Sequence, residues 1–74
     1  MSDRAPTCLN LLAPNGIVFV EFAQALSGEQ SMAVLDISQR AKTAHELEQS
    51  LVDLGRAWGI VTTTEIVSRA RNLA

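Results

Sequence analysis

The sequence predicts an α+β fold in which a three-stranded antiparallel meander is followed by two α-helices packed on one of its faces. In the first half of the chain, short runs rich in Val, Ile and Phe alternate with turn residues, a pattern typical of strands. In the second half, apolar residues at helical spacing follow capping residues. The 74 residues allow one domain, which we place at 7–74 behind a disordered N-terminus at 1–6.

The first two strands are predicted on either side of a tight turn. The apolar run 7–12 leads into Pro14, Asn15 and Gly16, which favour a turn, with Gly16 expected to supply a positive φ. Residues 17–23 follow, rich in β-branched and aromatic side chains, and they form the clearest strand of the chain. This strand is apolar on both faces, which is typical of a central strand.

The third strand is predicted at 32–37, after the polar connection 26–31. An alternative interpretation makes 17–27 and 30–41 helical, because Ala, Gln, Glu and Met are good helix formers. That alternative gives an all-α fold of four short helices.

Two helices are predicted next. Thr43 and Glu46 match a capping box, and Gly59 suits a left-handed helix end. The apolar stripe of this helix consists of Leu47, Leu51, Leu54 and Trp58. Thr62 and Glu65 match a second capping box, which predicts a C-terminal helix. Its apolar stripe consists of Ile66, Ala70 and Leu73.

The residues that could support catalysis or metal binding are few. Cys8 and His45 are the sole candidate pair of nucleophile and base, and we expect a buried thiol and a solvated imidazole instead. The sequence contains no Cys-x-x-Cys, no paired histidines and no acidic calcium loop. We therefore predict a protein without catalytic residues, metal sites or cofactors.

The chain also lacks the apolar segments that membranes and secretion require. No run approaches the roughly 18–20 apolar residues of a membrane helix, and residues 1–6 contain no signal core. Its single cysteine argues against a disulfide-stabilised extracellular domain. These observations predict a cytoplasmic protein that does not contact membranes.

A sheet that is apolar on both faces favours protein binding, because two helices can cover only one of them. We predict a non-catalytic inhibitor, adaptor or regulator that forms a homodimer and binds another protein. Small inhibitors from phages and mobile elements, such as anti-CRISPR proteins, share this size and simplicity. The predicted contact residues are Val18, Val20, Phe22 and Glu21.

The alternative function is a DNA-binding transcriptional regulator that uses the two C-terminal helices. Charge is unevenly distributed, since 1–54 has seven acidic and three basic residues whereas 55–74 has one acidic and three basic residues. Basic side chains near short polar ones are typical of surfaces that contact DNA phosphates. The candidate residues are Arg56, Ser68, Arg69 and Arg71.

Overall fold

The computed structural model describes residues 5–67, which form an α+β fold of three antiparallel strands and two helices. The predicted fold class is therefore confirmed, and the all-α alternative is wrong. The elements in chain order are β1 (Thr7–Ala13), β2 (Gly16–Phe22), α1 (Gly28–Arg40), α2 (Ala44–Trp58) and β3 (Thr62–Val67).

The sheet has the order β1-β2-β3, with β2 in the centre. β1 and β2 form a hairpin in which Ala13 pairs with Gly16. The chain then passes through both helices before β3 returns to the free side of β2, where Thr62 pairs with Phe22 and Val67 with Ile17. The third strand is thus separated from the hairpin by both helices, and it does not continue a meander.

The hairpin turn consists of Pro14 and Asn15. Neither residue has a positive φ, and among residues 5–67 only Gly59 does, so the positive φ expected at Gly16 is wrong. The turn instead contacts the helical layer, because the Ala44 N–H donates a hydrogen bond of 2.7 Å to Asn15 Oδ1. Asn15 therefore satisfies a free backbone donor at the start of α2.

The strand predicted at 32–37 is wrong, because this segment lies inside α1. Ser27 caps the helix: the Gln30 N–H donates to Ser27 Oγ, and the Ser27 N–H donates to the Gln30 side chain. This capping box begins a helix over the segment that the alternative interpretation placed at 30–41. That part of the alternative is correct, whereas its helix at 17–27 is wrong because β2 occupies most of it.

The helix predicted after Thr62 is also wrong, because Thr62–Val67 is β3. All of its residues except Glu65 are β-branched, and such residues favour strands. The free edge of β2 supplies backbone hydrogen bonds that outweigh the apparent capping box. The other residues of the predicted apolar stripe, Ala70 and Leu73, lie outside the described residues.

The first predicted helix is confirmed as α2. The Glu46 N–H donates to Thr43 Oγ1 at 3.0 Å, while the Glu46 carboxylate accepts from the Lys42 N–H rather than from Thr43. Gly59 ends the helix in the left-handed conformation at φ 72°. The helix stripe faces the sheet, with Leu47 and Leu51 fully buried.

Both helices cover the same face of the sheet. The core lies between these two layers, and Phe22 contacts Trp58 there at a ring-centroid distance of 6.3 Å. The buried core residues are Leu11, Ala13, Val18, Val20, Phe22, Val34, Ala44, Leu47, Leu51 and Ile60. The opposite face of the sheet has no layer packed on it among residues 5–67.

Candidate functional site

The uncovered face of the sheet, which we call the open face, carries one row of alternate side chains from each strand. Successive side chains of a strand point to opposite faces, so the residues between the core positions all point outward here. The open face consists of Cys8, Asn10 and Leu12 from β1, Ile17, Phe19 and Glu21 from β2, and Thr63, Glu65 and Val67 from β3.

Strand pairing arranges these side chains by polarity. At the end nearest the hairpin turn, Leu12, Ile17 and Val67 lie side by side in an apolar row. Phe19 lies in the middle row on the central strand, next to Glu65. These apolar side chains form one continuous patch, because Ile17 and Phe19 are two residues apart on the same strand.

Exposure confirms that this patch faces outward. Leu12 is 70% exposed and Phe19 is 37% exposed. Solvent-facing positions of a sheet usually carry polar residues, so large apolar side chains at these positions are informative. A contiguous exposed apolar patch with polar residues at its edge is typical of a protein interaction surface.

The predicted contact residues Val18, Val20 and Phe22 are on the wrong face. They are 0%, 3% and 0% exposed, because the helical layer covers this face and α2 packs against β2. The prediction chose the more apolar side of this strand, and that side forms the core. Glu21, the fourth predicted residue, does lie on the open face and is exposed.

The open face is shallow. A concavity of about 270 Å³ on this face has Phe19, Glu21 and Glu65 in its lining. Small-molecule sites are enclosed clefts of about 300–1,000 Å³ that bury most of the ligand. A surface this flat suits another macromolecule better than a small ligand.

The structure does not bring Cys8 and His45 together. Cys8 is exposed on the open face, so the expectation of a buried thiol is wrong. His45 is exposed, as predicted, in the first turn of α2, which packs on the other face of the sheet. Within residues 5–67, no group of three potential metal ligands comes together.

The candidate DNA-binding residues are only partly described. Arg56 is exposed near the end of α2, on the helical side of the sheet. Ser68, Arg69 and Arg71 lie outside the described residues. The open face itself contains the carboxylates Glu21 and Glu65 and no basic residue, so it does not attract a phosphate backbone.

Four apolar residues of the open face are absent from the predicted contact residues. Alternation along β2 places Ile17 and Phe19 on one side of the strand, but nothing in the pattern says which side the helices cover. Leu12 ends the predicted apolar run 7–12, and Val67 was assigned to a helix, so neither was placed beside Ile17.

Comparison with known proteins adds no family relationship. No family model, no curated protein and no solved structure matches the chain. Between residues 5 and 67, neither helix has the length and apolar character that crossing a bilayer requires.

Proposed function

We propose that this chain is a non-catalytic protein-binding module that contacts its partner through the open face. The observation that supports this proposal is the continuous apolar patch of Leu12, Ile17, Phe19 and Val67 on a sheet face that no element of residues 5–67 covers. Covering this patch with a partner removes apolar surface from water, which contributes about 25 cal/mol per Å².

The form of the surface supports a protein partner. The open face is built on three hydrogen-bonded strands, and most interfaces between preformed partners change little on binding. Phe19 stands on the central strand among neighbours on both sides, the position that a binding hot spot usually occupies. Such a module acts by occupying its partner's surface, which fits an inhibitor, an adaptor or a regulator in the cytoplasm.

The test compares two exposed apolar residues on different surfaces. Phe19→Ser removes the centre of the open face, and Leu35→Ser removes a side chain that is 48% exposed on α1. Tagged wild-type protein and both variants are used to capture binding partners from cytoplasmic extract with and without nuclease treatment, and each variant is first shown by circular dichroism to be folded.

We expect Phe19→Ser to reduce the captured partner at least about tenfold, as loss of a hot-spot side chain does, and Leu35→Ser to retain it. Equal capture by Phe19→Ser and wild type would contradict the proposal. Loss with Leu35→Ser alone would place the contact on α1. Material that nuclease removes would favour the DNA-binding alternative.

A further inference from the structure

We propose that the partner presents a basic amphipathic helix to the open face, with an apolar side chain against Phe19 and lysine or arginine against Glu21 and Glu65. This inference rests on the proposed function, and it specifies the chemistry of the partner. It is based on charge complementarity and on the dimensions of the face.

The two carboxylates are next to the apolar patch. Glu65 is the direct strand neighbour of Phe19, and Glu21 follows Phe19 two positions along β2 on the same face. No side chain of residues 5–67 forms a hydrogen bond or ion pair with either glutamate across the open face. A partner that covers Phe19 therefore removes water from both carboxylates, which is costly unless it supplies cations.

A second copy of this chain does not satisfy that requirement. Among residues 5–67 the open face has no cation, so pairing two copies brings four carboxylates into one interface. If the two-fold axis is parallel to the strands, Glu21 faces Glu21 of the other copy. If it crosses them at the middle row, Glu21 faces Ile17 and Glu65 faces Glu65. Both arrangements bury unpaired charge, which favours a partner of different composition.

The dimensions of the face suit one helix. Strands about 4.8 Å apart place β1 and β3 about 10 Å from each other, which matches the diameter of a helix. Phe19 and Glu21 are two residues apart, a separation of about 7 Å along β2. A helix places residues i and i+4 about 6 Å apart, so one turn can present an apolar residue to Phe19 and a cation to Glu21.

The experiment maps the contact directly. A photo-crosslinking phenylalanine derivative replaces Phe19 in the full chain, and the protein is irradiated in cytoplasmic extract. Mass spectrometry then identifies the segment attached to this position. The same crosslink is repeated in a Glu21→Gln, Glu65→Gln variant and in a Glu29→Gln, Asp53→Asn control. Both pairs remove the same charge, but the control residues are exposed on α1 and α2.

We expect a crosslinked segment from another protein, with lysine or arginine one helical turn from the apolar attachment point. We expect its yield to fall about tenfold for the open-face pair and to remain unchanged for the control pair. A second copy of this chain, a segment without basic residues, or equal effects of the two pairs would overturn the inference. If capture depends on Phe19 but not on the carboxylates, the proposed function stands and only the basic partner is excluded. If position 19 gives no crosslink and Phe19→Ser does not reduce capture, the proposed function and the basic partner are both excluded.

Discussion

At the scale of single residues, the close contact between the end of α2 and the beginning of β3 depends on Gly55. This residue is buried in α2, and a Cβ atom added to it would clash with Thr62 Oγ1 and approach Thr62 Cβ to 2.9 Å. Thr62 is held in place because its hydroxyl donates a hydrogen bond of 3.0 Å to the Ile60 carbonyl. The absence of a side chain at Gly55 therefore sets how closely the last turns of α2 approach the beginning of β3.

We expect Gly55→Ala to lower the free energy of unfolding by about 1–2 kcal/mol. Overpacking costs about 1–3 kcal/mol, and the better helix propensity of Ala returns up to about 1 kcal/mol. Urea denaturation measures the difference. The control is Gly28→Ala in α1, where an added Cβ meets nothing within 4 Å.

The same clash predicts coupling between the two positions. Adding Thr62→Ala removes the atom that the new Cβ meets first, so the double variant should lose less stability than the two single variants together. A Gly55→Ala protein as stable as wild type would show that α2 and β3 are not in close contact there. Gly59 ends the helix, as predicted, whereas Gly55 within the helix is a packing residue.

At the scale of secondary-structure elements, α1 is held less firmly than α2. Val34 is its only fully buried residue, whereas Leu47, Leu51, Ala44 and Gly55 are buried in α2. Met32 and Leu35 face solvent on the outer side of α1. With little packing to hold it, α1 depends more on its N-terminal cap.

We expect Ser27→Ala to loosen α1 locally. The change removes the oxygen that accepts from the Gln30 N–H at 3.1 Å, at a cost of about 1 kcal/mol. Native-state hydrogen exchange should accelerate in α1 and change less in α2. Ser38→Ala is the matched control, because the Ser38 hydroxyl only donates to the Leu35 carbonyl within the helix. Equal effects of the two substitutions would argue against a capping role for Ser27.

The elements that sequence predicted correctly have signals that do not depend on partners. The composition of β2, rich in β-branched and aromatic residues, and the helical spacing of the leucines in α2 are local signals of this kind. The segments 32–37 and 62–67 were exchanged between strand and helix. The helix over 32–37 has a local signal that the prediction did not use, the capping box of Ser27 and Gln30, whereas the local pattern of 62–67 conflicts with long-range pairing. Thr62 to Glu65 resembles a capping box, yet the free edge of β2 makes it a strand. No local pattern shows that edge to be available.

At the scale of the whole molecule, the two-layer arrangement determines which apolar residues form the core and which remain outside. Sequence analysis predicted correctly that both sides of β2 are apolar and that helices cover only one of them. The prediction assigned Val18, Val20 and Phe22 to the contact surface because they form the more apolar side of the strand. The helices cover that side, so Ile17 and Phe19 are on the open face instead. The position of α2 relative to the sheet decides which side of β2 is covered. That position depends on tertiary packing, which the hydrophobic period of the sequence does not reveal.

The single cysteine reports this arrangement in solution. Cys8 lies on the open face, beside Glu21 of β2, and is exposed. If the face is uncovered in the free protein, a thiol reagent should label Cys8 completely under native conditions. The labelling rate should be within about tenfold of the rate measured after unfolding in urea. Labelling only in urea would mean that another layer or another copy covers the face.

Once a partner is bound to the open face, we expect labelling to slow in proportion to the fraction bound, because Cys8 lies in the row that the partner reaches through Glu21. A bound partner that leaves the labelling rate unchanged would place its contact elsewhere on the molecule.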